Sequence, residues 1–113
     1  KVAGRSPTTW LRTGGAPTEQ TPKQIAEAVD GSLKRLQTDY IDLCQLQWTD
    51  RPMAMNRSGG LTYEHVEGTS VPIDDILGAL QDHVTAGKMR CTGLSNESAW
   101  GTMTIRRRWR FNS

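Results

Sequence analysis

Two segments of this sequence end in side chains that can hydrogen-bond a small molecule. Gln47 stands just before Trp48, and Ser95 stands beside Asn96. A hydroxyl and an amide supply both donors and acceptors, and the Gln47 amide can donate a hydrogen bond to a carbonyl oxygen. Glutamine does not titrate near neutral pH, so Gln47 can orient a ligand but cannot act as an acid or base. The aromatic ring of Trp48 can line a pocket for such a ligand.

Both pairs follow predicted β-strands. Residues 40–48 and 89–95 are short, rich in strand-forming residue types and bounded by turn signals. Alternation along the first strand places the odd-numbered residues 41–47 on one face, which we expect to be the inner one. The same alternation places Cys44 and Leu46 on the opposite face, towards the helices.

The first strand is preceded by a predicted amphipathic helix over residues 21–37. Thr21, Pro22 and Gln24 form a capping-box pattern with proline in the first helical position. The apolar stripe of this helix consists of Ile25, Val29, Leu33 and Leu36. We expect Leu33 and Leu36 to pack in one layer with the strand's outer face.

A second helix is predicted between the two strands. It begins after Pro72, carries Asp74 and Asp75 in its first turn, and stops at Gly87. With a further strand over residues 1–4, the order is strand, helix, strand, helix, strand. That order predicts an α/β fold with a parallel sheet and right-handed crossovers.

Length and composition limit the remaining choices. A chain of 113 residues with 35% hydrophobic side chains predicts at most one compact domain with a modest core. No apolar run approaches the roughly 18 residues that cross a bilayer, so we expect an unprocessed chain without a membrane partner. The two scattered cysteines do not form the disulfide framework of a secreted protein, which predicts a reducing cytoplasm. Neither the cysteines nor the two distant histidines have metal-ligand spacing, which predicts no metal site.

Two stretches of sequence resemble the aldo-keto reductase family. Residues 32–43 (SLKRLQTDYIDL), followed by QLQW at 45–48, are similar to the family's SLKRLxTDYIDLYxxHW segment. Residues 87–97 contain GKMR and GLSNE, which are similar to its GKVRYIGxSN segment, although Thr92 departs from the aliphatic residue usual there. The resemblance implies a partial (β/α)8 TIM barrel, covering about the third to fifth β/α units, that transfers hydride from NADPH to an aldehyde or ketone.

The resemblance also implies roles for individual residues. Lys1 matches the lysine of the family's Asp, Tyr, Lys and His tetrad, and Gln47 stands where the family has its active-site histidine. Ser95 and Asn96 match the pair that hydrogen-bonds the nicotinamide carboxamide of NADP, and Trp48 belongs to the substrate pocket. The tetrad Asp and Tyr are expected before residue 1, so this fragment is predicted to be inactive alone.

Two other functions remain open at this point. Exposed edges of a parallel sheet could recruit a partner or a second copy, which makes a non-catalytic partner-binding or oligomerisation module an alternative.

The second alternative concerns the end of the chain. Residues 1–105 are predicted to form the partial reductase domain, and residues 106–113 are predicted to form a basic, unstructured tail. Four of the chain's arginines lie in that tail and could bind nucleic acid, but no basic stripe extends from it, which argues against this partner.

Overall fold

The computed structural model describes residues 19–47 and 70–112. The elements in chain order are α1 (Pro22–Leu36), β1 (Ile41–Leu46), α2 (Ile73–Thr85), β2 (Met89–Leu94) and α3 (Ala99–Asn112). The predicted alternation of helices and strands is confirmed over these residues, and each strand is shorter than predicted by one to three residues. The predicted strand at 1–4, and the site residues Lys1 and Trp48, lie outside the described residues.

Helix α1 begins as its sequence predicts. Thr21 is the N-cap, and its Oγ1 accepts a hydrogen bond from the Gln24 N–H at 3.2 Å, with proline in the first turn. The reciprocal half of the capping box differs from the prediction, because Gln24 Oε1 accepts from the N–H of Glu19 at 2.8 Å. The side chain thereby ties the incoming chain, rather than the N-cap itself, to the helix.

Strands β1 and β2 form a parallel pair, as predicted. Ile41 pairs with Met89, and Leu46 pairs with Leu94. Helix α2 provides the crossover between them, which a parallel connection requires. The carboxyl ends of both strands therefore lie at the same edge of the sheet.

One hydrophobic core joins the sheet to α1 and α2. Its buried members are Ile25, Val29, Cys44, Leu46, Ile76, Ala79, Leu80 and Met89. Cys44 and Leu46 face the helices, as the alternation predicts, and Leu43 is 52% exposed on the other face. Leu33 packs against this core.

The expected burial of Leu36 is wrong. This side chain is 66% exposed. It lies in the last turn of α1, where Gln37 turns left-handed (φ 55°) and the chain reverses towards β1. No core member from the described residues lies on this turn, so helical periodicity alone overestimated the length of the packed stripe.

The end of the chain also differs from its prediction. Residues 106–112 continue α3 instead of forming an unstructured tail. Trp109 packs against the core, and Arg108 forms an ion pair with Asp74 in the first turn of α2. These two contacts hold a segment that its sequence pattern did not identify as amphipathic. None of the described helices is long and apolar enough to cross a membrane.

Truncation of Ile25 and of Leu36 tests this account of α1. Ile25→Ala should lower the free energy of unfolding by about 2–5 kcal/mol, because it empties a fully buried position. Leu36→Ala, the matched control on the same helix, should change it by no more than about 0.5 kcal/mol. Urea unfolding of both variants gives the comparison. A large loss for Leu36→Ala would show that the whole predicted stripe is packed.

Candidate functional site

The candidate site lies at the edge of the sheet where both strands end. Leu46 and Leu94 are the last paired residues, so Gln47 and Ser95 leave the sheet side by side. Both are half-buried. The carboxyl edge of a parallel sheet is where α/β folds place their ligands, because loops from neighbouring strands converge there.

Asn96 joins the two strand ends. Its Nδ2 donates to the backbone carbonyl oxygen of Gln47 at 2.7 Å and to Ser95 Oγ at 3.2 Å. Its backbone is left-handed, with φ 56°. Asparagine is one of the few residue types other than glycine that enter this region readily. The turn and the side chain together bring the three predicted residues 47, 95 and 96 into one cluster.

Gly93 allows the chain to pass close to β1. A Cβ at this position would lie 3.2 Å from Gln45 Cγ and 3.5 Å from Leu43 Cδ1. The side chains of Leu43 and Gln45 therefore lie against the backbone of β2 on the inner face. Gly93 is not among the predicted site residues, although a glycine inside a strand is itself a signal of close approach.

The start of α3 follows the site directly. Ser98 Oγ accepts from the Gly101 N–H at 3.0 Å, and Glu97 Oε1 accepts from the Ser98 N–H at 2.8 Å. The first of these hydrogen bonds satisfies a donor in the first turn of the helix, and the second holds the residue that caps it. They also anchor the residue that comes immediately after Asn96.

Ion pairs hold the opposite edge of the sheet. Lys88 Nζ contacts Asp30 Oδ1 at 2.7 Å, and the guanidinium of Arg90 contacts Asp42 Oδ1 at 3.2 Å. The same guanidinium lies 4.3 Å from the ring centre of Tyr40. The hydrogen bond from Lys88 holds the pKa of Asp30 below its usual range. These exposed contacts join helix and strands far from the candidate site.

The cluster at the carboxyl edge suits binding and orientation rather than proton transfer. Its side chains are two amides and a hydroxyl, none of which titrates near neutral pH. Burial raises the pKa of the Cys44 thiol, which faces the helices and is no candidate nucleophile. Over residues 19–47 and 70–112, no three His, Cys, Asp or Glu side chains lie together in a group that could hold a metal ion.

Comparison with known proteins identifies the arrangement. A profile described as the Aldo/keto reductase family matches residues 4–112. The chain belongs to the aldo/keto reductase family. It is 48% identical over 110 residues to an aldo-keto reductase from Babesia bovis, in a match that covers 91% of this chain and 38% of that protein. The family resemblance carried by the two motifs is confirmed.

Solved structures of aldo-keto reductases show the same fold. The holo form of an enzyme from Bacillus halodurans matches with a TM-score of 0.60 at 26% identity, over 95% of this chain and 30% of that one. An aldo/keto reductase from Klebsiella pneumoniae in complex with NADP and acetate gives 0.56 at 25% identity, over 78% and 24%. The prediction of a partial (β/α)8 barrel is confirmed. This aldo/keto reductase chain spans less than two fifths of the length of any of the three proteins.

Two variants of Asn96 separate its backbone role from its side-chain role. Asn96→Ala should lower the free energy of unfolding by about 1–2 kcal/mol, because it removes the bond to Gln47 and forces alanine into a left-handed turn. Asn96→Gly should cost less, since glycine adopts that turn without strain. Urea unfolding measures both losses, and the carbonyl-carbon resonance of Gln47 should move in both variants. Equal losses, or an unmoved Gln47 resonance, would contradict this geometry.

Proposed function

We propose that this chain supplies the nicotinamide-binding edge and part of the substrate pocket of an NADP-dependent carbonyl reductase. The observation that carries the proposal is the hydrogen bond from Asn96 Nδ2 to the carbonyl oxygen of Gln47. It places the residue pair matched to the nicotinamide contact beside the position matched to the active-site histidine. The related Klebsiella pneumoniae protein, solved with NADP and acetate, supports this class of cofactor.

Ser95 and Asn96 have the atoms that a carboxamide needs. The Asn96 Nδ2 donates two hydrogen bonds within the cluster, to the Gln47 carbonyl oxygen and to Ser95 Oγ. Its Oδ1 accepts no hydrogen bond from the part of the chain that the structure describes. The oxygen can therefore accept from the carboxamide NH2, and the Ser95 hydroxyl can donate to the carboxamide oxygen. The bound cofactor would supply the hydride, while this pair would hold its ring in a fixed orientation at the strand ends.

Gln47 orients the substrate in this proposal. Its side chain makes no hydrogen bond to any of residues 19–46 or 70–112, so its amide N–H is available to a carbonyl oxygen. The amide cannot share a proton as the family's histidine can, and the proposed role is limited to positioning. Lys1 as the tetrad lysine and Trp48 as a pocket wall remain proposals based on the family motif.

An oligomerisation module is the second candidate function. Leu43 is 52% exposed on the inner face of the sheet, where a closed barrel would cover it. A second copy could bury this face or extend the sheet edge. The nucleic-acid alternative is less well supported, because Arg108 forms an ion pair with Asp74 and α3 is packed on α2.

The two free cysteines, Cys44 and Cys91, fit the proposed cytoplasmic setting.

A titration with NADP+ tests the proposed cofactor edge. The amide resonances of Ser95 and Asn96 should shift in a saturable manner, and Asn96→Ala should weaken binding about five- to tenfold through loss of one or two hydrogen bonds. Ser95→Ala should weaken it similarly, whereas Ser70→Ala, a control on an exposed serine, should leave it unchanged. Shifts confined to the arginines of α3 would contradict this site.

The isolated chain should not turn over substrate. NADPH consumption with small aldehydes is expected to equal the background rate, because no residue of the described cluster can donate a proton near neutral pH. Absorbance of NADPH at its usual wavelength measures the rate. A robust rate that disappears in Lys1→Met would show that the chain assembles a complete catalytic group by itself.

A further inference from the structure

A cleft of about 320 Å³ opens on the helix-bearing side of β2. Its apolar walls come from α2, β2 and α3, and consist of Leu77, Leu80, Leu94, Ile105 and Trp109. We call it the helix-side cleft. Its volume is at the lower end of the range for small-molecule sites and far above the voids of a packed interior. It can therefore hold a compact ligand of one or two rings.

The helix-side cleft is separate from the proposed nicotinamide edge. Thr92 and Leu94 line the cleft and pair with Cys44 and Leu46, whose side chains face the helices. Ser95 and Asn96 lie beyond the end of β2 and do not line the cleft. A ligand in the cleft and a nicotinamide at the strand ends would therefore contact different residues.

Three polar side chains line the same cleft. Thr92 and Thr102 contribute hydroxyl groups, and Arg106 contributes a guanidinium. The guanidinium of Arg106 has no ion pair or hydrogen bond with any residue that the structure describes, whereas that of Arg108, one half-turn further on, is paired with Asp74. An unpaired cation beside apolar walls favours a ligand with an apolar body and a single negative charge.

We propose that the helix-side cleft binds a small aromatic carboxylate. The apolar body would lie against Leu94, Ile105 and Trp109, which are partly exposed, and would remove that surface from water. The carboxylate would accept hydrogen bonds from Arg106, with the Thr102 hydroxyl as a further donor. The planar guanidinium matches the two oxygens of a carboxylate, so we assign the charge of the ligand to that group.

A titration of the full 113-residue chain with 2-naphthoate tests the proposal. Methyl resonances of Leu77, Leu94 and Ile105 should shift saturably, together with the indole N–H of Trp109. Arg106→Gln should weaken binding about five- to tenfold, because it removes a charge-assisted hydrogen bond at a partly open site. Arg107→Gln is the matched control, since it removes the same charge from the adjacent residue, which does not line the cleft.

A neutral ligand provides a second arm that needs no substitution. The amide 2-naphthamide should bind the unaltered chain about as weakly as 2-naphthoate binds Arg106→Gln. Equal weakening by Arg107→Gln would show attraction to the general charge of α3 and would overturn the proposal. So would the absence of saturable binding, or shifts centred on the inner-face residue Leu43. No arm of this experiment uses NADP, so its result is independent of the proposed reductase function.

Discussion

The parallel pairing of β1 with β2 is the constraint on which the rest of the structure depends. The Ile41 N–H donates to the carbonyl oxygen of Lys88 at 2.9 Å, and the register continues to the pairing of Leu46 with Leu94. A parallel ladder needs a crossover, which places α2 on one side of the sheet. It also brings the residues after both strands to one edge. A shift of one residue would exchange the core-facing and inner-facing side chains.

The two edges of this small sheet have different chemistry. At the amino edge, Lys88 and Arg90 form ion pairs with Asp30 and Asp42, all at exposed positions that tolerate solvent. Such pairs contribute little individually and mainly add to the fit between helix and strands. At the carboxyl edge, the contacts are amide and hydroxyl hydrogen bonds made by Asn96. They hold neutral side chains in place at the strand ends.

Local sequence rules were sufficient where one residue determines its neighbours' geometry. Thr21 capped α1 as predicted, and the alternation in β1 correctly assigned Cys44 and Leu46 to the helices. The prediction that Gln47 lies near Ser95 and Asn96 rested on the family motif together with the parallel order of the two strands. The roles of these residues are still proposals.

Features that depend on distant contacts could not be predicted in this way. Leu36 has the correct helical spacing but lies in the last turn, which no described core member reaches. Helix α3 has a weak apolar stripe, and it is held by Trp109 and by an ion pair to a residue 34 positions earlier. The bond from Asn96 to the Gln47 carbonyl joins residues 49 apart, and its acceptor is backbone, which no side-chain pattern reveals.

The register of β1 against β2 tests the central claim most directly. Nuclear Overhauser contacts between backbone protons should join residues 41–46 to residues 89–94 in the same order along both strands, and the Asn96 side-chain amide should contact the backbone around Gln47. Contacts that run in opposite order along the two strands would contradict the account, because Gln47 would then lie beside Met89 and far from Ser95.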